Sequence, residues 1–213
     1  MNGWPDGPMS IARGGCRRGR VVRLAALGLL LAGGADAPSG VEEHSAMHAS
    51  AAPALELSLS AEDRQLLAQI RAATAQYHDV DRAVADGFVR EPACAKSAAG
   101  AMGVHYPNTA LIGFEANVTP RTGTDPNIDP LRPDVLVYEP QPSGRMRLVA
   151  VEYMVFQAAW QAANPDQPVP SLFGVPFDLR THGWKPHFEL HLWLWRENPN
   201  GLTAEWNPKV ECP

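Results

Sequence analysis

The segment HFELHLWLWRENPNG, residues 187–201, contains the most informative pattern in the chain. In its first half the polar residues His187, Glu189 and His191 alternate with apolar residues. Side chains alternate between the two faces of a β-strand, so this pattern predicts a strand with the three polar side chains on one face. Imidazole and carboxylate groups gathered on one face are typical of metal sites and acid–base pairs. They also occur in buried hydrogen-bond networks that do no chemistry.

Two further segments, residues 134–140 and 145–156, are rich in β-branched and apolar residues and are separated by a turn at 142–144. This arrangement predicts an antiparallel hairpin. Glu152 lies in the second segment, on the same predicted face as Leu148. Since an isolated buried carboxylate is costly, Glu152 is predicted to be paired, protonated or bound to a metal.

Apolar residues recur at spacings of three and four between Ser60 and Phe88, which predicts an amphipathic helix or a helical pair. Ser60 followed by Asp63 is typical of a helix start, and Gly87 of a helix end. Because helices come first and strands follow, we predict an α+β fold. In it, an N-terminal helix or helical pair packs on a curved antiparallel sheet of four to six strands. The predicted strands are residues 102–106, 134–139, 146–156 and 187–196.

A metal site can be predicted from strand geometry. Alternate residues of a strand are about 6.6 Å apart, so His187 and His191 are about 13 Å apart and one ion cannot bind both on a flat strand. The predicted site therefore uses Glu189 with His191 and recruits Glu152 and His105 from neighbouring strands. Two histidines and a glutamate with an open coordination position suit zinc, iron or manganese.

Aromatic residues near these positions are candidates for a small-molecule pocket. Trp193 and Trp195 continue the predicted face of His191 and could form a platform for a flat ligand. Tyr106 and Tyr153 follow His105 and Glu152 in sequence and complete the predicted pocket. Core packing is the commoner use of such side chains, so that alternative stays open.

The first residues are typical of an export signal rather than of a folded domain. Several arginines precede a short apolar run at 24–31 and then small residues, which predicts a secretory signal peptide at 1–37. The run is shorter than the roughly 18–20 residues that span a bilayer, so stable membrane insertion is not expected after cleavage. Residues 38–57 are rich in alanine, serine and proline and are predicted to be a flexible linker. Residues 58–213 are predicted to form one domain of an exported, periplasmic or extracellular protein.

The charge of the chain argues against nucleic acid as a partner. The whole sequence of 213 residues has a formal net charge of −5. Loss of residues 1–37 removes five arginines and two aspartates, which leaves 13 basic and 21 acidic residues and a charge of −8. A domain so acidic lacks the basic surface that binds phosphate backbones.

Cysteine usage predicts a disulfide. Of three cysteines, Cys16 lies in the predicted signal peptide, which leaves Cys94 and Cys212. An even pair in an exported protein is most simply a disulfide. Closing a loop of this length could stabilise the fold by up to about 4–5 kcal/mol.

Several motifs together resemble a family of exported bacterial proteins of unknown function. They are AMGVHY (101–106), LVYEP (136–140), LVAVEY (148–153), LFGVPF (172–177), HFELHLWLW (187–195), NPNG (198–201) and WNPKVEC (206–212). The resemblance covers residues 60–213 and implies export and a single domain, without implying a reaction or a ligand. Ala101 and Phe188 stand where the family pattern has glycine and tyrosine, and neither is a predicted ligand.

Three classes of function agree with the sequence. The preferred one is a metal-binding exported protein, either an enzyme or a carrier. The alternatives are a module that binds a small organic molecule, and a structural envelope protein whose polar residues form a satisfied core network. No nucleophile elbow, phosphate loop, dinucleotide fingerprint or c-type haem motif is present in the sequence, which disfavours the corresponding enzyme classes.

Overall fold

Strands dominate the computed structural model of the protein, which describes residues 59–115, 117–181 and 183–213. The predicted signal peptide and linker lie outside these residues. The strands found in the described residues are β1 (Cys94–Ser97), β2 (Gly100–Pro107), β3 (Val135–Pro140), β4 (Met146–Phe156), β5 (Ser171–Leu172), β6 (Val175–Pro176), β7 (Asp178–Arg180) and β8 (His187–Leu192). Six of them form one antiparallel sheet in the order β1-β2-β3-β4-β8-β7.

The helices between Ala61 and Ala85 precede the strands of the described residues, as predicted, whereas a further helix follows β4. The helices in this part of the chain are α1 (Ala61–Thr74), a 3-10 helix (Ala75–His78), α2 (Val80–Ala85) and α3 (Gln157–Ala163). The start of α1 is fixed by reciprocal hydrogen bonds, since the Asp63 amide donates to the Ser60 hydroxyl and the Ser60 amide donates to the Asp63 carboxylate. This capping box satisfies two amides that the helix itself leaves without partners. The predicted helical pair is confirmed.

The N-terminal helices pack on one face of the sheet, which we call the helix face. Leu67 and Ile70 of α1 and Ala83 of α2 are buried there against strand residues such as Tyr138 and Leu190. Their burial removes apolar surface from water and supplies the main stabilisation of the fold. The predicted α+β architecture, with helices on a curved antiparallel sheet, is therefore confirmed.

The opposite face of the sheet, which we call the site face, is covered by loops and by the C-terminal segment. Trp193 and Val210 pack there against Val137 and Ala150. The Trp193 indole also donates a hydrogen bond of 2.5 Å to the Ala204 carbonyl. The C-terminal segment thus supplies the cover that helices supply on the other side.

A β-bulge changes the predicted faces of β4. Val137 pairs with Ala150, but the next residue, Tyr138, pairs with Leu148, so Val149 is the extra residue. Leu148 therefore packs in the helix-face core and does not share the face of Glu152. The prediction for Leu148 was wrong because an extra residue in one strand shifts the alternation by one position.

The last strand and the predicted disulfide complete the fold. β8 ends at Leu192 rather than at residue 196, because the Trp193 amide donates to the Leu202 carbonyl instead of continuing the ladder. The disulfide between Cys94 and Cys212 is confirmed. The two cysteines are 118 positions apart in the sequence, and their Cα atoms are 5.7 Å apart. None of the helices in the described residues is both long and apolar enough to cross a bilayer.

Candidate metal centre

Three strands bring two histidines and a glutamate together on the site face. Glu152 of β4 and His191 of β8 are directly opposite each other in the antiparallel ladder. His105 lies on β2, separated from β4 by β3, and pairs with Val137. Directly opposed residues project to the same side of a sheet, so the pairing aims Glu152 and His191 at a common point, which His105 reaches from across β3.

The three side chains meet in a nearly equilateral triangle. The His105 Nε2 and Glu152 Oε2 atoms are 3.3 Å apart, and the His191 Nε2 and Glu152 Oε2 atoms are 3.5 Å apart. The two imidazole Nε2 atoms are 3.4 Å apart. These three atoms form a group that could hold a metal ion.

Burial favours the metal-binding form of both imidazoles. It lowers the pKa of His191 to about 4, with nearby Glu189 acting in the opposite direction. It likewise lowers the pKa of His105, again opposed by the charge of Glu189. Neutral imidazole is the form that coordinates metals, so both rings are ready to bind at neutral pH.

Glu152 is unusual because its carboxylate is buried and incompletely hydrogen-bonded. The carboxylate is buried, and within the described residues its Oε2 atom has no hydrogen-bond partner. Burial, followed by the charge of nearby Glu189, raises the pKa of Glu152 well above the usual value of 4.5. A buried carboxylate oxygen without a donor is unfavourable unless a cation or a proton compensates it.

The spacing of the triangle is close to that of a tetrahedral coordination site. Tetrahedral zinc sites with metal–ligand distances of about 2.0–2.1 Å have ligand atoms about 3.3–3.4 Å apart. Adjacent ligands of an octahedral ion at similar distances are about 3.0 Å apart. The observed separations of 3.3, 3.4 and 3.5 Å therefore fit three corners of a tetrahedron.

Glu189, which was predicted to be a metal ligand, is paired with other residues. Its Oε1 atom accepts a 2.6 Å hydrogen bond from Nε of Arg180, and its Oε2 atom lies 3.4 Å from Nε2 of His187. Burial alone would raise the pKa of Glu189, but the hydrogen bond with His187 and the charge and hydrogen bond of Arg180 lower it. Glu189 is thus an ionised partner of Arg180 rather than a member of the triangle, and Glu152 provides the carboxylate.

His187 also lies outside the triangle, as strand geometry requires. Its Nδ1 atom donates a 2.9 Å hydrogen bond to the Lys185 carbonyl, and its ring packs beside Trp184 and Phe156. Of the five candidate ligands, the structure brings together His105, Glu152 and His191, and it pairs His187 with Glu189.

Arg180 is a residue of this region that the sequence did not reveal. Besides Glu189, its guanidinium contacts Glu205 at 2.9 Å and Asp178 at 3.5 Å. These carboxylates hold the arginine beside β8, where it pairs with Glu189. The three-residue strand β7 that carries Arg180 is too short to give a periodic pattern.

The four aromatic candidates do not line one pocket. Trp193 lies on the site face, with its ring stacked at 6.3 Å from that of His191. Tyr106 and Tyr153 are buried in the helix-face core, and Trp195 packs against that core. Strand alternation places each tyrosine on the face opposite its neighbouring ligand, so only Trp193 adjoins the triangle among these four.

Comparison of the chain with protein-family models, with characterised proteins and with solved structures gives no match. The resemblance to exported bacterial proteins therefore stays a prediction, and the function has to be argued from the site.

Proposed function

We propose that the protein binds one divalent transition-metal ion through His105, Glu152 and His191, and that it does so outside the cytoplasm. The observation that carries the proposal is the convergence of two neutral imidazoles on a buried carboxylate oxygen that has no donor in the described residues. A cation at the centre of the triangle would satisfy all three atoms at once.

A hydrogen-bonded polar network explains the arrangement of His105, Glu152 and His191 less well than a metal site does. Such a network needs a proton between each pair of partners at normal hydrogen-bond distance. The three separations of 3.3–3.5 Å are long for charge-assisted hydrogen bonds, which are about 2.7–2.9 Å. They are the separations expected between ligands that share an ion.

Zinc is the metal that we propose, with iron and manganese as the alternatives. The tetrahedral spacing favours zinc, and two imidazoles with one carboxylate form a frequent zinc ligand set. The protein supplies three ligands, which leaves a fourth position open for water or a ligand. His105 is the most accessible of the three, with 19% of its side chain exposed, so the open position is expected beside it.

The chemistry of such a centre is Lewis acidity. An open zinc site polarises a carbonyl group or lowers the pKa of water, and a carrier uses the same position to exchange the ion. Export is supported by the disulfide between Cys94 and Cys212, since disulfides persist in oxidising compartments.

The direct test is metal analysis of the protein, produced from its full sequence and purified without chelator or affinity metal. Inductively coupled plasma mass spectrometry is expected to give about one zinc per chain after exposure to zinc and removal of the excess. His191→Asn and Glu152→Gln are expected to lower the affinity for zinc by at least about 100-fold, because each removes a ligand.

The matched control is His187→Asn. It changes the same residue type on the same strand and the same face, but outside the triangle, and is expected to keep the full metal content. Circular dichroism would show that each variant is folded. Absence of bound zinc, iron, manganese and copper from the folded parent after reconstitution would contradict the proposal.

A further inference from the structure

A cavity of about 480 Å³ lies between the N-terminal helices and the long segment that joins β2 to β3. Its lining includes Tyr77 and Asp86 on the helical side and Leu111, Leu131 and Arg132 on the loop side. This volume is within the range of small-molecule sites. We call this cavity the helix-loop cavity. None of the three proposed metal ligands lines it, so it is separate from the metal centre.

Asn108 joins the two sides of the cavity. It is buried, and its amide nitrogen donates a 2.9 Å hydrogen bond to the Asp86 carbonyl at the end of α2. Its amide oxygen accepts hydrogen bonds of 3.1 and 3.2 Å from the Ala110 and Leu111 amides. Because these bonds fix the loop to the helix, the cavity is formed before a ligand binds, which lowers the entropic cost of binding.

Asp86 gives the cavity a carboxylate with one oxygen available. Its Oδ2 atom lies 3.1 Å from Nε of Arg82 and accepts a 3.3 Å hydrogen bond from the Tyr77 hydroxyl. Both contacts involve Oδ2, and within the described residues Oδ1 makes none. A carboxylate can accept about four hydrogen bonds, and this side chain is 28% exposed. The carboxylate can therefore accept a further donor from a ligand.

Arg132 gives the cavity a positive charge that forms no ion pair within the described residues. Its side chain is exposed and lines the cavity together with Asp86. Burial and the charge of Asp86 raise the pKa of Tyr77, whereas the charges of Arg82 and Arg132 lower it. Asp86 and Arg132 thus lie near the same hydroxyl group without being paired to each other.

Half of the residues that line the cavity are apolar, among them Phe88, Leu111 and Leu131. The Phe88 ring packs edge-on against that of Tyr77, with the ring centroids 5.2 Å apart. Leu131 is 42% exposed, so a ligand in the cavity can cover it. Contact with these side chains favours a ligand that also carries an apolar group.

The charges of the lining define the class of ligand. A simple anion would be attracted by Arg132 but repelled by Asp86, and a simple cation would meet the opposite problem. A molecule that carries both an ammonium and a carboxylate group matches both side chains. Arginine in particular can bind a carboxylate through two parallel hydrogen bonds.

We propose that the helix-loop cavity binds a free amino acid with an apolar side chain. The ammonium group of the ligand donates to Oδ1 of Asp86, and its carboxylate accepts from the guanidinium of Arg132. The apolar side chain of the ligand packs against Leu111 and Leu131. This site is independent of the proposed metal ion.

The test uses L-leucine and two analogues that each lack one charged group. 4-Methylpentanoate keeps the side chain and the carboxylate but has no ammonium group, whereas 3-methylbutylamine keeps the side chain and the ammonium group but has no carboxylate. Isothermal titration calorimetry of the protein without added metal is expected to show at least roughly tenfold tighter binding of leucine than of either analogue, because only leucine satisfies both charges.

Arg132→Gln and Asp86→Asn test the two charges separately. Each is expected to weaken leucine binding by roughly tenfold. Arg132→Gln is expected not to weaken binding of 3-methylbutylamine, and Asp86→Asn not to weaken binding of 4-methylpentanoate. The matched controls are Arg145→Gln and Asp81→Asn, which remove exposed charges of the same types outside the cavity. Both are expected to keep the affinity for leucine.

Three results would overturn the proposal, with circular dichroism showing that each protein is folded. They are no binding of leucine to the parent, equal binding of leucine and both analogues, and full leucine affinity in Arg132→Gln or Asp86→Asn. Glu152→Gln, which removes a proposed metal ligand, is expected to bind leucine like the parent. Loss of leucine binding in that variant would place the amino acid at the metal centre, which would overturn the cavity proposal and leave the metal proposal standing.

Discussion

The two faces of the sheet are made by the same strands but bury different chemistry. On the helix face, the Tyr138 hydroxyl donates to the Tyr77 carbonyl and the Tyr153 hydroxyl donates to the Pro130 carbonyl, each at 2.7 Å, within an otherwise apolar core. On the site face, Glu152 and His191 are equally buried, yet Glu152 Oε2 has no donor in the described part of the chain.

This difference indicates that the sheet buries apolar, stabilising side chains on one face and the proposed metal ligands on the other. The helix face gains free energy from apolar burial and from paired polar groups. The site face keeps a carboxylate in an environment that disfavours its charge, and such groups concentrate at functional sites. Substitutions on each face, and at the disulfide that joins them, test this division.

The largest effect is expected from the disulfide, which joins the two sides. Cys94 packs against the helix-face core, whereas Cys212 packs against the cluster around Trp193. Replacing both cysteines by serine is expected to lower the free energy of unfolding by up to about 4–5 kcal/mol, because the unfolded chain regains the freedom of a long loop. Urea denaturation measures the loss, and reduction of the parent protein provides the control. A loss below about 1 kcal/mol would mean that packing alone holds the C-terminal segment.

The next effect concerns the helix face alone. Leu148 is completely buried in the core beneath the helices. Leu148→Ala is expected to lower the free energy of unfolding by about 2–5 kcal/mol through lost burial and a residual cavity. The folded variant is expected to bind zinc with the affinity of the parent, which isothermal titration calorimetry can check. A large loss of zinc affinity would show that the two faces are not independent.

Asp134 should make stability depend on pH. It is buried and accepts a hydrogen bond of 3.0 Å from the Met154 amide, and burial raises its pKa from the usual 3.8 to about 7. Between these values the folded state holds a proton that the unfolded state has released. The stability that Asp134 contributes is therefore complete below about pH 4 and falls as pH rises towards 7.

Asp134→Asn removes this titration and keeps an acceptor for the Met154 amide. The variant is expected to unfold with a free energy close to that of the parent at pH 4 and about 2–4 kcal/mol higher at pH 8. Urea denaturation at several pH values measures the difference. A difference that stays constant between pH 4 and 8 would contradict the raised pKa of Asp134.

The smallest effect distinguishes the site from a structural network. Glu152→Gln is expected to stabilise the metal-free protein by about 1–3 kcal/mol, because the amide carries no charge to bury and can donate to an imidazole nitrogen. Zinc is expected to raise the melting temperature of the parent and to leave that of the variant unchanged. Differential scanning calorimetry with and without zinc measures both. Destabilisation of the metal-free variant would favour the structural network.

Local patterns in the sequence sufficed for much of the fold. The capping box at Ser60 and Asp63 and the alternation of residues 187–192 depend on neighbours within a few positions, and both are as predicted. With Cys16 assigned to the predicted signal peptide, the disulfide required no geometry, because two cysteines can pair in only one way. Predictions that depended on more distant parts of the chain were less successful.

Local sequence patterns did not identify which glutamate belongs to the site. Glu189 shares a strand and a face with His191, so strand periodicity alone favoured it as the ligand. Glu189 instead accepts a hydrogen bond from Arg180. The residue directly opposite His191 on the neighbouring strand is Glu152. The choice depends on the register between β4 and β8 and on a short strand without a sequence signal.

Local sequence signals were enough for the N-terminal helices, the main strands, the disulfide and the face on which His187, Glu189 and His191 lie. These features follow from side-chain period, capping and cysteine count, which are properties of neighbouring residues or of composition. The meeting of His105, Glu152 and His191 and the turn of Leu148 to the other face are seen only in the folded chain. The reason is that strand register and the bulge in β4 arise from pairing between distant segments, and a shift of one residue exchanges the two faces.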